Sequence, residues 1–159
     1  MTTTPTAIMF DSAAPHLIPD GFAGAAVCAA VYINGRYAWP QSQVARFERV
    51  IRISVMPEAG FAAHARVIDV ERFDATPANA RGFIKERIRL GHHDATVYCS
   101  KAAVASVQKA CSGLEYRLWV ADWTGVPHED PDAWAVQYKT GPNEYDVTEV
   151  YGRLDFSRP

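Results

Sequence analysis

Cysteine is scarce in this chain. There are three, Cys28, Cys99 and Cys111, and no two of them form a C-x-x-C pair. An odd number of widely spaced cysteines argues against both a disulfide framework and a cysteine-ligated metal site. The adjacent His92 and His93 have no third ligand to complete a metal site. We therefore predict no metal and no cofactor.

Long apolar runs are also missing. The longest, AGAAVCAAVYI at 23–33, has the length of a core strand and is too short to span a membrane. The opening MTTTPTAIMF has neither the basic start nor the apolar stretch of a signal peptide. We expect a protein without a membrane span that is made in the cytoplasm. If it acts outside a cell, we expect it to be released by phage lysis or carried on a virion.

Several functional motifs are absent as well. The sequence has no G-x-G-x-x-G or Walker pattern for phosphates and no G-x-S-x-G elbow of a serine hydrolase. The net charge of −2 gives no electrostatic reason to expect nucleic acid as a partner. What is present, 48% hydrophobic and 21% charged residues, is typical of a globular protein. We predict a single domain over 1–159.

Short apolar and β-branched runs recur along the chain and predict eight strands. Thr76 and Pro77 predict the start of a helix that Gly91 ends, and a second helix is expected between Ser100 and Gly113. A shorter helix is expected around 42–47, and the last connections are too rich in Pro and Gly for helices. The predicted strands are Ala7–Asp11, Ala26–Ile33, Val50–Val55, Ala65–Glu71, Ala95–Cys99, Tyr116–Asp122, Ala133–Tyr138 and Asp146–Tyr151.

This element order predicts the fold class. Eight strands with helices only in the early and middle connections indicate a compact, irregular β/α barrel of the TIM type whose last strands lack helices. An open doubly wound sheet is the alternative fold. It would be favoured by a glycine-rich phosphate loop, which the sequence does not have.

Acidic residues gather where the predicted strands end. Asp69 and Glu71, two positions apart in RVIDVERFD, have side chains on the same face of a strand. Asp11 ends the first strand, and Asp146 lies in the eighth. Since functional groups of β/α barrels gather at the carboxyl ends of the strands, we expect these four acids in one cleft. Carboxylates flanked by aromatic rings are typical of glycoside hydrolysis.

Five motifs follow one another along the chain: VIDVE (67–71), TVYCS (96–100), LWVADW (118–123), AVQYKT (135–140) and YDVTEVY (145–151). In this order and approximate spacing, the chain resembles family 25 of the glycoside hydrolases, the lysozyme-type muramidases, in a shortened form like that of actinobacterial and phage proteins. The resemblance implies a β/α barrel whose last strands lack helices. It also implies that Glu71 is the general acid and Asp69 its acidic neighbour, with Asp11 and Asp146 lining the floor of the groove.

The same resemblance implies a substrate surface. Tyr98, Trp119 and Tyr138 fall where the family has sugar-contacting or groove-lining aromatics, and Gln137 stands beside Tyr138 at the end of the seventh strand. Two functions remain open. The first is a glycosidase that cuts a β-1,4 bond in peptidoglycan. The second is an inactive barrel that binds glycan or serves as a structural piece of a phage particle, with contacts to particle proteins or to copies of itself.

Overall fold

A computed structural model describes residues 4–19, 27–141 and 144–152. Eight strands follow one another in chain order around a closed barrel. The prediction of an eight-stranded barrel is confirmed, although helices are few and strands dominate the structure. Part of the predicted second strand, Ala26, lies outside the described residues. The strands are β1 (Ala7–Asp11), β2 (Val27–Tyr32), β3 (Val50–Ser54), β4 (Val67–Val70), β5 (Thr96–Ser100), β6 (Arg117–Ala121), β7 (Ala135–Thr140) and β8 (Asp146–Val150).

One strand of this barrel, β8, runs in the opposite direction to the other seven. β1 to β7 pair in parallel with their sequence neighbours, whereas β8 is antiparallel to both β7 and β1. The connection from β7 to β8 has only five residues, 141–145, whereas a parallel pair would need a crossover of about a dozen residues. As a result, the start of β8 lies at the same end of the barrel as the carboxyl ends of the other strands.

Alternation along the strands separates the barrel interior from its outside. The interior layer holds apolar residues from nearly every strand, with Trp119 as its largest fully buried member. Two further layers cover the outside: one packs β4, β5 and β6 against two helices, and the other packs β8, β1 and β2 against Trp39 and Val44. A strand apolar on both sides therefore has a partner for each face, as its sequence predicts.

Three α-helices occur in the described part of the chain: α1 (Gln41–Val44), α2 (Pro77–Arg89) and α3 (Val104–Ala110). α2 begins at the predicted Thr76, whose hydroxyl accepts from the Asn79 backbone N–H, while Asn79 Oδ1 accepts from the Thr76 N–H. The helix predicted between Ser100 and Gly113 is confirmed in shorter form as α3, which is preceded by one 3-10 turn, Lys101–Ala103. None of the described helices combines the length and apolar character needed to cross a membrane.

Two connections of this barrel lack an α-helix, and the sequence predicts this for the later one. The connection from β6 to β7 contains no helix, and the one from β3 to β4 has only a 3-10 turn, Ala59–Ala63, which packs against α2. A regular β/α barrel has a full helix after each strand. On the outer surface of β3, Arg52 is only half-buried, whereas Val50 and Ser54 are buried.

Candidate active site

The four acids predicted from the strand ends lie at one end of the barrel. Asp11 ends β1, Asp69 lies in β4, and Glu71 follows β4 directly. Asp146 starts β8 and stands directly opposite Asp11 in the antiparallel register. Asp11, Asp69 and Asp146 share their orientation with the interior residues of their strands. The structure thus brings together the four carboxyl groups that the sequence places on three different strands.

Asp11 is held by a chain of buried hydrogen bonds. Gln137 donates from Nε2 to Asp11 Oδ1 at 3.0 Å, and the hydroxyl of Tyr98 donates to Gln137 Oε1 at 2.7 Å. Burial raises the pKa of Asp11 well above its ordinary value, and the charge of Asp146 raises it further, while the bond from Gln137 acts against this. Asp11 is therefore a firmly positioned carboxyl group that resists ionisation.

Asp69 is a buried acid with one unsatisfied carboxyl oxygen. It is 2% exposed, and its Oδ1 has no hydrogen-bond partner among the described residues. Burial raises its pKa well above the ordinary value, followed by the charges of Glu71, Asp74 and Asp11. A buried acceptor without a donor is costly, so each one calls for an explanation. Asp69 is placed to receive a proton or a donor from a bound molecule.

Glu71 is the accessible member of the pair. As a residue it is exposed, at the rim of the barrel. Its carboxyl group is nevertheless partly shielded from water, and this shielding is the main reason that its pKa is raised, with the charge of Asp74 as the second cause. The Tyr98 hydroxyl opposes the rise in pKa. An accessible carboxyl group with a raised pKa has the properties of a proton donor.

Asp74 completes an acidic trio that the sequence analysis did not include. One carboxylate oxygen each from Asp69, Glu71 and Asp74 lies within 4.8 Å of the others. Carboxylate oxygens are ligands for Mg²⁺ and Ca²⁺, so these three residues could hold a hard cation. The prediction that the protein binds no metal was based on its Cys and His residues alone. Burial raises the pKa of Asp69 and of Glu71; the charges of Glu71 and Asp74 raise it further for Asp69, and the charge of Asp74 does so for Glu71.

Asp146 has a more polar environment than Asp11, which it faces. It accepts a hydrogen bond from the Thr140 hydroxyl at 3.0 Å. Burial raises its pKa to about 6, the Thr140 bond lowers it, and Glu71 raises it. Because Asp146 is half-buried, it titrates where the free side chain would already be ionised.

The aromatic residues expected on the substrate surface are placed differently. Trp119 is fully buried inside the barrel, where its Nε1 donates to Thr148 Oγ1, so it has no surface to offer a sugar. Tyr138 points to the outer side of the barrel and packs in the outer apolar layer. The burial of both rings argues against their direct contact with a substrate. Gln137 is also fully buried and positions Asp11, and Tyr98 is 6% exposed with its hydroxyl near the acids.

Three aromatic residues at this end of the barrel were not predicted from the sequence as part of the site. Tyr32 ends β2, and the charges of all four acids add to the rise in its pKa that burial begins. The strand-end rule that identifies Asp11 would also have identified Tyr32. Two exposed aromatics, Phe73 after β4 and Trp123 after β6, are 84% and 54% exposed. They lie in loops, so no strand or helix pattern indicates their exposure.

Comparison with known proteins supports the fold. No family model matches the chain, and no curated protein matches it significantly. Among solved structures it is similar to the Mycobacterium tuberculosis Tat-secreted protein Rv2525c, crystallised in complex with HEPES. The two are 14% identical with a TM-score of 0.55, and the match covers 91% of this chain and 95% of Rv2525c. At this identity the likeness shows a shared barrel fold.

Proposed function

We propose that this protein is a glycosidase of the muramidase type that hydrolyses a β-1,4 bond in peptidoglycan. One observation carries the proposal: a buried Asp69 without a hydrogen-bond partner lies beside an accessible Glu71, at the end of the barrel that also holds Asp11 and Asp146. Glycoside hydrolysis needs one carboxyl group that donates a proton and further negative charge near the sugar. This end of the barrel supplies both.

Glu71 is the proposed general acid. It donates its proton to the glycosidic oxygen as the bond to the leaving sugar breaks. A raised pKa keeps the proton available closer to neutral pH, and its causes here are partial shielding from water and the Asp74 charge. Exposure at the rim allows a polymer to reach the carboxyl group without entering the barrel.

Asp69 is the proposed partner of the reacting sugar. If the sugar carries an N-acetyl group, its carbonyl oxygen can act as nucleophile, and a carboxyl group can accept from its N–H. The unpartnered Oδ1 of Asp69 suits that acceptor role, because binding would supply the missing donor. Asp146 is the alternative carboxyl group for this role, and a direct attack by water is the alternative reaction course.

The substrate surface belongs to the proposal as well. Phe73 and Trp123 expose rings at the end of the barrel that holds the acids, and exposed aromatic rings stack on the faces of sugars. The proposal also includes the finer fold assignment, an irregular β/α barrel of the family 25 kind. Rv2525c is described as Tat-secreted. A place of action outside the cytoplasm would suit an enzyme that cuts the cell wall.

Digestion of purified cell walls tests the function directly. Walls of several chemotypes are incubated with the wild type and Glu71→Gln, and the soluble fragments are identified by mass spectrometry after reduction. We expect muramic acid at the new reducing ends, and turnover lower by about a hundredfold or more in Glu71→Gln. Glu48→Gln, an exposed change before β3 at the other end of the barrel, is the matched control and should cut like the wild type.

A barrel that binds glycan without cutting it is the second candidate. The exposed rings of Phe73 and Trp123 favour it, because they can stack on sugars whether or not Glu71 donates a proton. Under this alternative, the wild type sediments with insoluble walls but releases no fragments. Fragment release that is equal in the wild type and Glu71→Gln would instead exclude Glu71 as the general acid.

A further inference from the structure

A cavity lies at the opposite end of the barrel from the acids. Its volume is about 350 Å³, and its lining includes Val50 at the start of β3, Arg66 before β4 and Asp94 before β5. This is where β3 and β4 are joined by a 3-10 turn. In a regular barrel a crossover helix would cover this part of the sheet. The cavity is therefore a direct result of the shortened connection.

Basic side chains dominate the walls of this cavity. Three arginines, Arg52, Arg66 and Arg87, line it together with His64 and His92, and the acidic residue in the lining is Asp94. The three guanidinium groups carry three positive charges against one negative charge. For a protein with an overall net charge of −2, this is a local reversal of sign. Such a concentration of donors and positive charge attracts anions.

Two of the arginines are fixed in place by their surroundings. Arg87, on the inner side of α2, is 5% exposed; it donates to the Ala62 carbonyl oxygen at 3.0 Å and to Asp94 Oδ1. Arg66 donates from Nε to the Asp94 carbonyl oxygen at 3.2 Å, and its guanidinium group stacks 4.9 Å from the centre of the Trp134 ring. Guanidinium groups held in this way are preorganised, so little further ordering is needed to bind a ligand.

Arg87 also keeps one donor unused. Its Nε is buried and has no hydrogen-bond partner among the described residues. A buried charged donor without an acceptor is destabilising, and an acceptor that enters the cavity offers compensation after a small shift of the side chain. Planar guanidinium groups match the paired oxygens of phosphate better than an ammonium group does. The chemistry of the cavity therefore favours a tetrahedral oxyanion.

The cavity continues into a second hollow. That hollow, of about 530 Å³, shares Arg52, Ala63 and His64 with the first and adds Ile33 and Phe61. Arg52 and His64 thus stand between a basic region and a partly apolar one. A ligand that fills both would carry its negative charge at one end and an apolar or aromatic group at the other. Binding sites for small molecules commonly combine apolar walls with a few polar anchors in this way.

We propose that this cavity binds a phosphate monoester of a small organic molecule, with its phosphate group between Arg52, Arg66 and Arg87 and its organic part against Ile33 and Phe61. The site is separate from the acids and does not depend on glycosidase activity. Its ligand class follows from the charge of the lining and from the apolar hollow beside it. Inorganic phosphate should bind more weakly than an aryl phosphate, because it cannot reach the second hollow.

Calorimetric titration with phenyl phosphate and with inorganic phosphate, at constant ionic strength, tests the site. We expect saturable one-to-one binding, with phenyl phosphate the tighter ligand. Arg52→Gln should weaken phenyl phosphate binding by about tenfold, the loss of a charge-assisted hydrogen bond. Arg89→Gln is the matched control: Arg89 is exposed on the same helix as Arg87, pairs with Glu86, and should leave binding unchanged.

A second variant, His64→Gln, tests the site even if Arg52→Gln does not fold. His64 is exposed, so His64→Gln should leave the melting temperature unchanged and still weaken binding of phenyl phosphate. Absence of saturable phosphate binding to the folded wild type would overturn the proposal. So would equal weakening by Arg52→Gln and Arg89→Gln, since that outcome marks a general charge effect.

Discussion

Gln137 donates a buried hydrogen bond to Asp11 across most of the length of the chain. Because its Nε2 is committed to Asp11 at 3.0 Å, its Oε1 must face Tyr98, which donates to it at 2.7 Å. The amide therefore links the carboxyl group of β1 to the phenol of β5 through the barrel interior. Gln137 acts on the site by positioning Asp11.

Loss of this link should be costly. Gln137→Leu has a similar size but removes the Nε2 donor to the buried Asp11 carboxyl group and the Oε1 acceptor to which the Tyr98 hydroxyl donates. We expect a loss of about 2–3 kcal/mol in the free energy of unfolding, measured by urea denaturation. Tyr98→Phe removes one hydroxyl from the same chain and should cost only about 1 kcal/mol. A Gln137→Leu protein as stable as the wild type would show that the amide has no positioning role.

The buried Asp69 and the half-buried Asp94 should respond in opposite directions to the same substitution. Asp69→Asn replaces a buried carboxyl group whose Oδ1 has no hydrogen-bond partner among the described residues, so we expect equal or greater stability at neutral pH. Asp94→Asn removes the carboxylate that accepts from Arg87 and lies 3.6 Å from Arg66, and should cost about 3–5 kcal/mol because buried cations remain. Thermal melting of both variants checks this. An Asp69→Asn protein that is less stable than the wild type would show that the Asp69 carboxyl group has a stabilising partner.

Stability should fall as pH rises above about 4. Three acids at the carboxyl end of the barrel have a raised pKa in the folded protein: about 6 for Asp146, and well above the ordinary value for Asp11 and Asp69. Between an unfolded pKa of about 3.9 and these values, the native state holds more protons than the unfolded state, so stability decreases with pH.

Urea denaturation at several pH values between 4.5 and 8 measures that slope. Asp146→Asn keeps an oxygen for Thr140 to donate to and should flatten the part of the curve that lies near pH 6. Stability that stays constant or increases between pH 5 and 8 would contradict the raised pKa values. Below this window, Asp94 acts in the opposite sense, because its Arg87 partner lowers its pKa.

Phe73 combines full exposure with an unfavourable backbone conformation. Its φ of 76° lies in the left-handed region, and its ring is 84% exposed. Phe73→Gly should raise the stability by about 1 kcal/mol by relieving this strain, and should weaken binding to insoluble walls. Trp123→Ala should weaken wall binding with a stability change within about 0.5 kcal/mol. Wall sedimentation and melting measure both, and unchanged binding in both variants would remove the rings from the substrate surface.

Local signals in the sequence were sufficient for much of the fold. Thr76 and Pro77 determine the start of α2 through a cap and a fixed φ, both of which act within one turn. The short connection before β8 implies an antiparallel strand. For this reason Asp146, at the start of β8, lies at the same end of the barrel as the other acids. The acids could be predicted because strand ends are set by this local pattern.

The substrate surface was harder to predict, for two physical reasons. The faces of Trp119 and Tyr138 follow from strand alternation, which places Trp119 inside the barrel and Tyr138 outside, but a family motif records only the residue type. Phe73 and Trp123 lie in loops whose conformation depends on tertiary packing. Asp74 joins the acids only because the chain turns back after β4, where the Asp74 N–H donates to the Glu71 carbonyl oxygen.

The antiparallel seam between β1 and β8 also has a consequence for folding. This seam joins two strands at distant positions in the chain, so its closure carries a larger loop entropy than the pairing of adjacent strands. Contacts of such high sequence separation slow folding. Asp11 and Asp146 lie directly opposite each other on the seam, and like charges in that position repel. We therefore expect closure of the barrel to bring Asp11 and Asp146 together late in folding, and ionisation of both carboxyl groups to oppose that closure.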